Sequence, residues 1–193
     1  MIGITGLKTH GKDTAFRAYR RNFWAPYFQQ VMFAEAIKKI TIMILKNLGM
    51  THSLARRHVY GNLKEAPIEL LDGKTARQLQ QTLGTEWGRD MVHPDLWVKM
   101  ALSHFDIGYK PRIFITDVRF PNEVAAIYAR GGHVVRVFNP RREAPTDLHP
   151  SEAHIPTLQV SAELINDSTK LNLGRDMAKF VKHITGFEPN GNW

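Results

Sequence analysis

The amino-acid sequence predicts an α/β fold in three layers: a parallel sheet of about five strands with helices on both faces. Three observations predict it. Short apolar runs alternate with longer segments of helical pattern, as successive strand–helix units do. The first run, residues 1–5, passes straight into a glycine-rich turn and then a helix. A later run, residues 112–116, ends in the acid Asp117. Ligands of open parallel sheets bind beyond the carboxyl ends of the strands, where both the turn and Asp117 fall.

Taken in order, MIGIT (residues 1–5) reads as a short buried strand. The helix that follows carries Asp13 in its first turn, where the positive end of the macrodipole favours an acid. Residues 28–33 form a second strand, and residues 34–48 a helix closed by Gly49. The stretch 50–74 is less regular, with short helices expected at 53–60 and 63–71. A helix at 75–83 follows, with Thr75 and Gln78 spaced as a capping box and Gly84 as its end. Residues 95–105, behind Pro94, form another helix. RIFITD (112–117) is a buried strand; Pro121 then opens a helix that Gly131-Gly132 closes. Residues 133–138 are a strand and 139–150 a polar, basic, proline-bearing loop expected to be mobile. A short strand at 162–165 and a helix at 170–184 complete the chain, with fraying expected at the last residues.

With 193 residues, 43% hydrophobic and 23% charged, the chain can bury the core of one domain spanning 1–193. It has no cysteine, which excludes disulfides, thiolate metal sites and a cysteine nucleophile and fits the reducing cytoplasm. No apolar run approaches the roughly 18 residues of a membrane span, and no charged-then-apolar leader is expected at the N-terminus. The net charge of +8 raises nucleic-acid binding. The basic residues are spread out, however, pairing only at Arg20-Arg21, Arg56-Arg57 and Arg141-Arg142. That is the pattern of a protein that handles the phosphates of small nucleotides.

Gly6-Leu7-Lys8-Thr9-His10-Gly11-Lys12 follows the phosphate-loop pattern of P-loop nucleoside triphosphatases. Glycines let backbone N–H groups converge on phosphates, the next helix aims its positive end there, and Lys12 reaches the β- and γ-phosphates. The usual Ser or Thr after the lysine, which holds magnesium, is replaced by Asp13, with Thr14 next. Asp117 can hold magnesium or accept a hydrogen bond from substrate. Val118 stands where hydrolysing ATPases commonly place a glutamate, which favours transfer over hydrolysis. Arg119 can clamp a phosphate, with Glu123 placed to orient it. The polar helix bearing Arg77 and ending in Gly84-Thr85 reads by itself as a solvated helix. Trp97 can stack on a base, although a lone Trp at helical spacing is more often core. His149 and Glu152 can coordinate a metal, a hydrogen-bonded loop corner being the better reading.

Together these stretches resemble the bacteriophage-type deoxynucleoside monophosphate kinases. The resemblance runs along nearly the whole chain: GLKTHGKDT (6–14), FAEAIK (33–38), RQLQQTLGT (77–85), WVK (97–99), TDVRFPNE (116–123), HPSE (149–152) and IND (165–167). The Gly-Lys-Asp-Thr ending is that family's own variant of the loop, so Asp13 adds to the match. The resemblance implies transfer of the γ-phosphate of ATP to a deoxynucleoside monophosphate, with Mg²⁺ as cofactor. It implies that Gly11, Lys12, Asp13 and Thr14 hold ATP and its magnesium, with Asp13 as the metal-side residue. Thr9 occupies the position where some relatives carry a basic residue that touches ATP. Lys8, Lys38, Arg77, Gly84, Thr85, Trp97, Asp117, Arg119 and Glu123 then bind the monophosphate, with Lys12, Asp117 and Arg119 catalytic. Residues 34–110 become a helical monophosphate-binding region and residues 139–152 a lid. Asn139-Pro140 stands where Arg-Pro is common, leaving Arg141 and Arg142 as the basic residues of that segment. Members of that family are often dimeric, but no stretch of this sequence marks an interface. Two alternatives stay open: a kinase of another small phosphorylated acceptor, such as phosphomevalonate, and a nucleic-acid-binding P-loop module.

Overall fold

Strand β1 (Ile2–Thr5) is buried at every position and forms the centre of a five-stranded parallel sheet. Its neighbours are β3 (Arg112–Ile115) and β4 (His133–Phe138); β2 (Phe28–Val31) and β5 (Ala162–Ile165) lie at the edges, giving the order β2-β3-β1-β4-β5. The computed structural model describes residues 1–23, 28–105, 112–143 and 150–187. Residues 144–149, the middle of the expected lid with His149, and residues 188–193 lie outside the described ones. The chain folds as two compact units, Met1–Met32 with Phe105–Trp193, and Phe33–His104.

In the sheet unit, alternation along β1 separates the layers. Ile2 and Ile4 face a core shared with α1 (Lys12–Asn22) and α8 (Lys170–Thr185), which includes Phe16, Tyr19, Phe114, Val135 and Met177. Gly3 faces α6 (Pro121–Tyr128), where a Cβ would come within 2.6 Å of Ile127 Cδ1, so the third layer packs directly on the strand backbone. Phe28 and Phe114 meet with ring centroids 4.8 Å apart, and each such buried ring contributes roughly 1.5–3 kcal/mol. The chain leaves β1 for one edge, returns to β3, then crosses to β4, placing the reversal of strand order beside β1. Hydrogen bonds prolong the ladder past the strand ends, from Val118 N–H to the Ile4 carbonyl and from Asn166 N–H to the Phe138 carbonyl. These bonds bring residues 117–119 and 166 to the edge from which residues 6–12 emerge.

The helical unit comprises α2 (Glu35–Asn47), α3 (His52–Val59), α4 (Ala76–Thr82) and α5 (Leu96–Leu102) around Ile42, Leu45, Ala55, Val59, Ile68 and Ala76. The capping box forms as expected: Thr75 N–H donates to Gln78 Oε1 at 2.8 Å, and Gln78 N–H to Thr75 Oγ1 at 3.1 Å. Two expectations fail here. The helix expected at 63–71 is reduced to a single 3₁₀ turn, Glu69–Leu71. Pro67 removes a helical N–H and pairs instead in a bridge with Thr75, around a turn in which Asp72 and Gly73 both have positive φ. Nor does Gly84 end a helix. The chain runs on from α4 into a π-helix, Leu83–Val92, because Gly84 is used for its small size and not for a left-handed cap: its φ is not positive, and a Cβ there would lie 3.1 Å from Ile37 Cδ1. Among the described residues no helix is long and apolar enough to cross a membrane.

Candidate functional site

The loop between β1 and α1 is built from unusual backbone. Gly6 has φ 148° and Gly11 φ 99°, and a Cβ at Gly6 would lie 2.5 Å from the Val137 carbonyl oxygen. Thr9, with φ 73°, adopts the left-handed region that costs a non-glycine residue about 1–3 kcal/mol. His10 N–H donates to the Leu7 carbonyl at 3.2 Å and closes the turn. Helix α1 then starts at Lys12 with Gly11 as its N-cap, and no side chain caps it. Its first-turn N–H groups are therefore left for an anion.

Around Lys12 the expected catalytic groups converge. Burial pulls the Lys12 ammonium below its ordinary value of 10.5, Asp13 opposes the shift, Arg119 adds to it, and Glu152 and Asp117 oppose it. Four charged side chains from three parts of the chain thus act on one lysine at the carboxyl ends of β1 and β3. Arg119 is held at both ends. Its backbone N–H donates to Glu123 Oε2 at 2.7 Å, and its guanidinium pairs with Glu152 Oε1 at 3.3 Å. Lys8 and Thr9 are exposed on the loop, and Thr14 is half-buried in the first turn of α1.

Glu123, expected to line the monophosphate pocket, is only 2% exposed, and its Oε2 accepts the N–H groups of Arg119 and Phe120. The third residue of α6 is reaching back to satisfy the helix start, and in doing so it fixes the backbone of Arg119. Glu152, in the short α7 (Pro150–Ala153), is buried against that arginine, which makes it a charge partner; no cluster of three or more His, Asp or Glu suited to a metal exists among the described residues. Asp13 and Asp117, both in the field of Lys12, nevertheless suit magnesium, which takes one or two carboxylates beside phosphate oxygens.

In the helical unit, Lys38 lies over the Tyr60 ring, 5.3 Å from its centroid, and the Arg56 guanidinium stands 5.1 Å from the same ring. Tyr60 donates to Glu35 Oε1 at 3.0 Å; burial, then that bond, pushes its hydroxyl up to about 12, so it stays a donor. Arg77 pairs through Nε with Glu65 at 3.4 Å. Gly84 and Thr85 lie at the start of the π-helix. Trp97, expected to meet a base, is corrected to a core residue. It is 0% exposed, its indole N–H donates to the Gly84 carbonyl at 2.7 Å, and its ring fills the space that a Cβ on Gly88 would need, 2.4 Å away. Through these contacts it braces the π-helix at Gly84 and Gly88.

Sequence reasoning passed over three residues. Glu152 was read as a loop corner, and Asn166 and His10 were given no role. Asn166 Nδ2 donates to the His10 carbonyl at 3.0 Å, and His10 is buried beside Phe138. A polar residue just past a strand end was the available signal for Asn166. The pairing of Glu152 with Arg119 spans 33 positions, and no local pattern announces it.

A glycine-rich loop ahead of an uncapped helix start, a half-buried lysine, an anchored arginine and two nearby carboxylates can position and neutralise phosphates. Comparison with known proteins agrees. The family model of deoxynucleotide monophosphate kinases matches residues 28–175. A protein of Acanthamoeba polyphaga mimivirus, assigned by name to the same kinases, is 30% identical over 183 residues, covering 88% of this chain and 89% of its own. The deoxynucleotide monophosphate kinase of Escherichia phage RB69 is 29% identical over 144 residues, 73% of this chain and 59% of its own, so the chain spans about three fifths of that relative. The solved dephospho-CoA kinase from Campylobacter jejuni matches over 96% of each chain, with a TM-score of 0.50 at 14% identity, a likeness of fold alone. With the family model covering well over half of its length and laid on this P-loop fold, the chain belongs to the deoxynucleotide monophosphate kinase family of phosphotransferases.

Proposed function

We propose that the protein transfers the γ-phosphate of ATP to a deoxynucleoside monophosphate, yielding the diphosphate and ADP. The observation that carries this reading is the gathering of Asp13, Asp117, Arg119 and Glu152 around Lys12, at an uncapped helix start. Phosphoryl transfer asks a protein for positioning and charge neutralisation, with no covalent chemistry of its own.

Gly11, Lys12, Asp13 and Thr14 bind the triphosphate, and Lys12 neutralises charge on the β- and γ-phosphates as the bond to the leaving oxygen breaks. Asp13 and Asp117 would hold magnesium beside the nucleotide's phosphates, where it would supply further charge neutralisation. Arg119 holds the acceptor phosphate, its backbone N–H tied to Glu123 and its guanidinium paired with Glu152, and Lys8 of the loop binds the same phosphate. Lys38, Arg77, Gly84 and Thr85 of the helical unit bind the monophosphate nucleotide.

The test is an assay of ADP formation by the purified protein with ATP, Mg²⁺ and each common deoxynucleoside monophosphate, with Lys12→Ala as the control. Phosphorylation of at least one monophosphate well above that control is expected. Activity no higher than the control for every monophosphate would sink the reading.

A further inference from the structure

Two polar residues beside the phosphate loop have no part in the transfer described so far: His10 inside the loop, and Asn166, the first residue after β5. Asn166 is anchored on the sheet by its own N–H, which donates to the Phe138 carbonyl at 2.7 Å. From there its side chain donates through Nδ2 to the His10 carbonyl at 3.0 Å. His10 is buried, lies 5.4 Å from the Phe138 ring between centroids, and accepts the Asn139 N–H at Nδ1, 3.2 Å away. The loop is thus tied by hydrogen bonds to the ends of both β4 and β5.

The consequence for a phosphate follows from peptide geometry. A trans peptide is planar, and its C=O and N–H point in opposite directions. The His10 carbonyl and the Gly11 N–H belong to one peptide. With the carbonyl turned to Asn166, the Gly11 N–H is turned away from it as a donor. Gly11 runs so close to the asparagine that a Cβ would lie 2.3 Å from Nδ2, and its φ of 99° is one that other residues rarely adopt. Thr9 holds a φ of 73° that a non-glycine residue rarely adopts, so bonds from outside the loop help to hold this segment in its observed shape.

We infer that Asn166 is a positioning residue for the nucleoside triphosphate: through the His10 carbonyl it holds the His10–Gly11 peptide in the orientation that presents the Gly11 N–H to a phosphate oxygen. The inference rests on the reading that this loop binds the phosphates of ATP, and goes beyond it by assigning a residue outside the loop to that task.

The test is titration of the full chain with a fluorescent ATP analogue, alongside steady-state kinetics and thermal melts. The variants are Asn166→Ala, Asn166→Leu, which keeps a similar volume without a donor, and Asn166→Ser, which keeps a shorter donor. Affinity for the analogue is expected to fall about 10- to 100-fold in the Ala and Leu variants and less in the Ser variant. KM for ATP should follow that order, while KM for the monophosphate stays within about twofold. Unchanged ATP affinity overturns the inference. So does a parallel rise of both KM values in step with a lower Tm, which is what a merely structural asparagine would produce. Failure of all three variants to fold overturns it too, since the side chain would then serve the fold. A wild-type protein that does not bind the analogue would sink the ATP reading of the loop and this inference with it; normal wild-type binding with unaltered variants would sink the inference alone.

Discussion

In the sheet unit, Lys12 and Arg119 follow closely on β1 and β3, and backbone conformation and nearby carboxylates fix them there. In the helical unit, Lys38 and Arg77 project from or beside helices and are steadied by side chains of other elements, Tyr60 and Glu65. The first arrangement is rigid because strand ends, a strained loop and buried carboxylates all restrict it. The second rests on half-exposed contacts that are individually weak. On the proposed reading, the contrast puts the chemistry of phosphate transfer where the backbone is most constrained, and recognition of the monophosphate where side chains can readjust.

The strongest way to break that contrast is to compare Lys12→Ala with Arg77→Ala. The first should lower kcat by about 10³-fold or more, since it removes charge where charge develops in the transition state. The second should mainly raise KM for the monophosphate, about 10- to 100-fold, as the loss of one charged hydrogen-bonding partner does. Equal losses of kcat in steady-state assays would erase the distinction between the units.

Trp97 sharpens it next. Trp97→Ala should cost the helical unit about 3–5 kcal/mol, because it empties a fully buried site. Trp97→Phe should cost about 1 kcal/mol by removing the indole hydrogen bond to the Gly84 carbonyl. Urea denaturation measures both. A Phe variant with unchanged stability and a raised monophosphate KM would restore the base-stacking role expected of Trp97.

A smaller effect concerns pH. On the proposed reading Lys12 binds phosphate in its charged form, and burial holds it below the ordinary 10.5. ATP affinity should therefore begin to fall below pH 10.5 as pH rises, and Lys12→Arg, always charged, should lose that dependence. The same shift means that the unfolded chain keeps this proton to higher pH than the folded one. Between the lowered value and 10.5, Lys12 accordingly adds stability as pH rises.

The smallest effect belongs to His10, which burial and then Lys12 hold below its usual 6.5. The unfolded histidine takes up its proton first, so stability should decline as pH falls from 6.5 toward the lowered value. His10→Gln should flatten that part of a pH–Tm curve.

Much of the fold and part of the site were legible in the chain. The inner strands β1, β3 and β4 stand where apolar runs marked them, because a strand buried on both faces must be largely apolar. The loop from Gly6 to Lys12 was legible because its glycines, its lysine and the following helix are all local. The capping box at Thr75 was legible for the same reason. The length of the helix at 63–71 was misread because Pro67 and the turn at Asp72-Gly73 outweigh its apolar spacing.

Local sequence was enough to mark the phosphate loop and the acid and arginine that follow β3, because the residue types that identify them lie a few positions apart. Which polar groups answer one another depended on how the chain packs. Glu152 meets Arg119, Asn166 meets the His10 carbonyl, and the indole of Trp97 meets Gly84. These partners lie 13 to 156 positions apart, and a hydrogen bond requires contact in space that no short pattern encodes. For the same reason the burial of Glu123 against the Arg119 and Phe120 backbone, and of Trp97 against Gly84, was not legible in the chain.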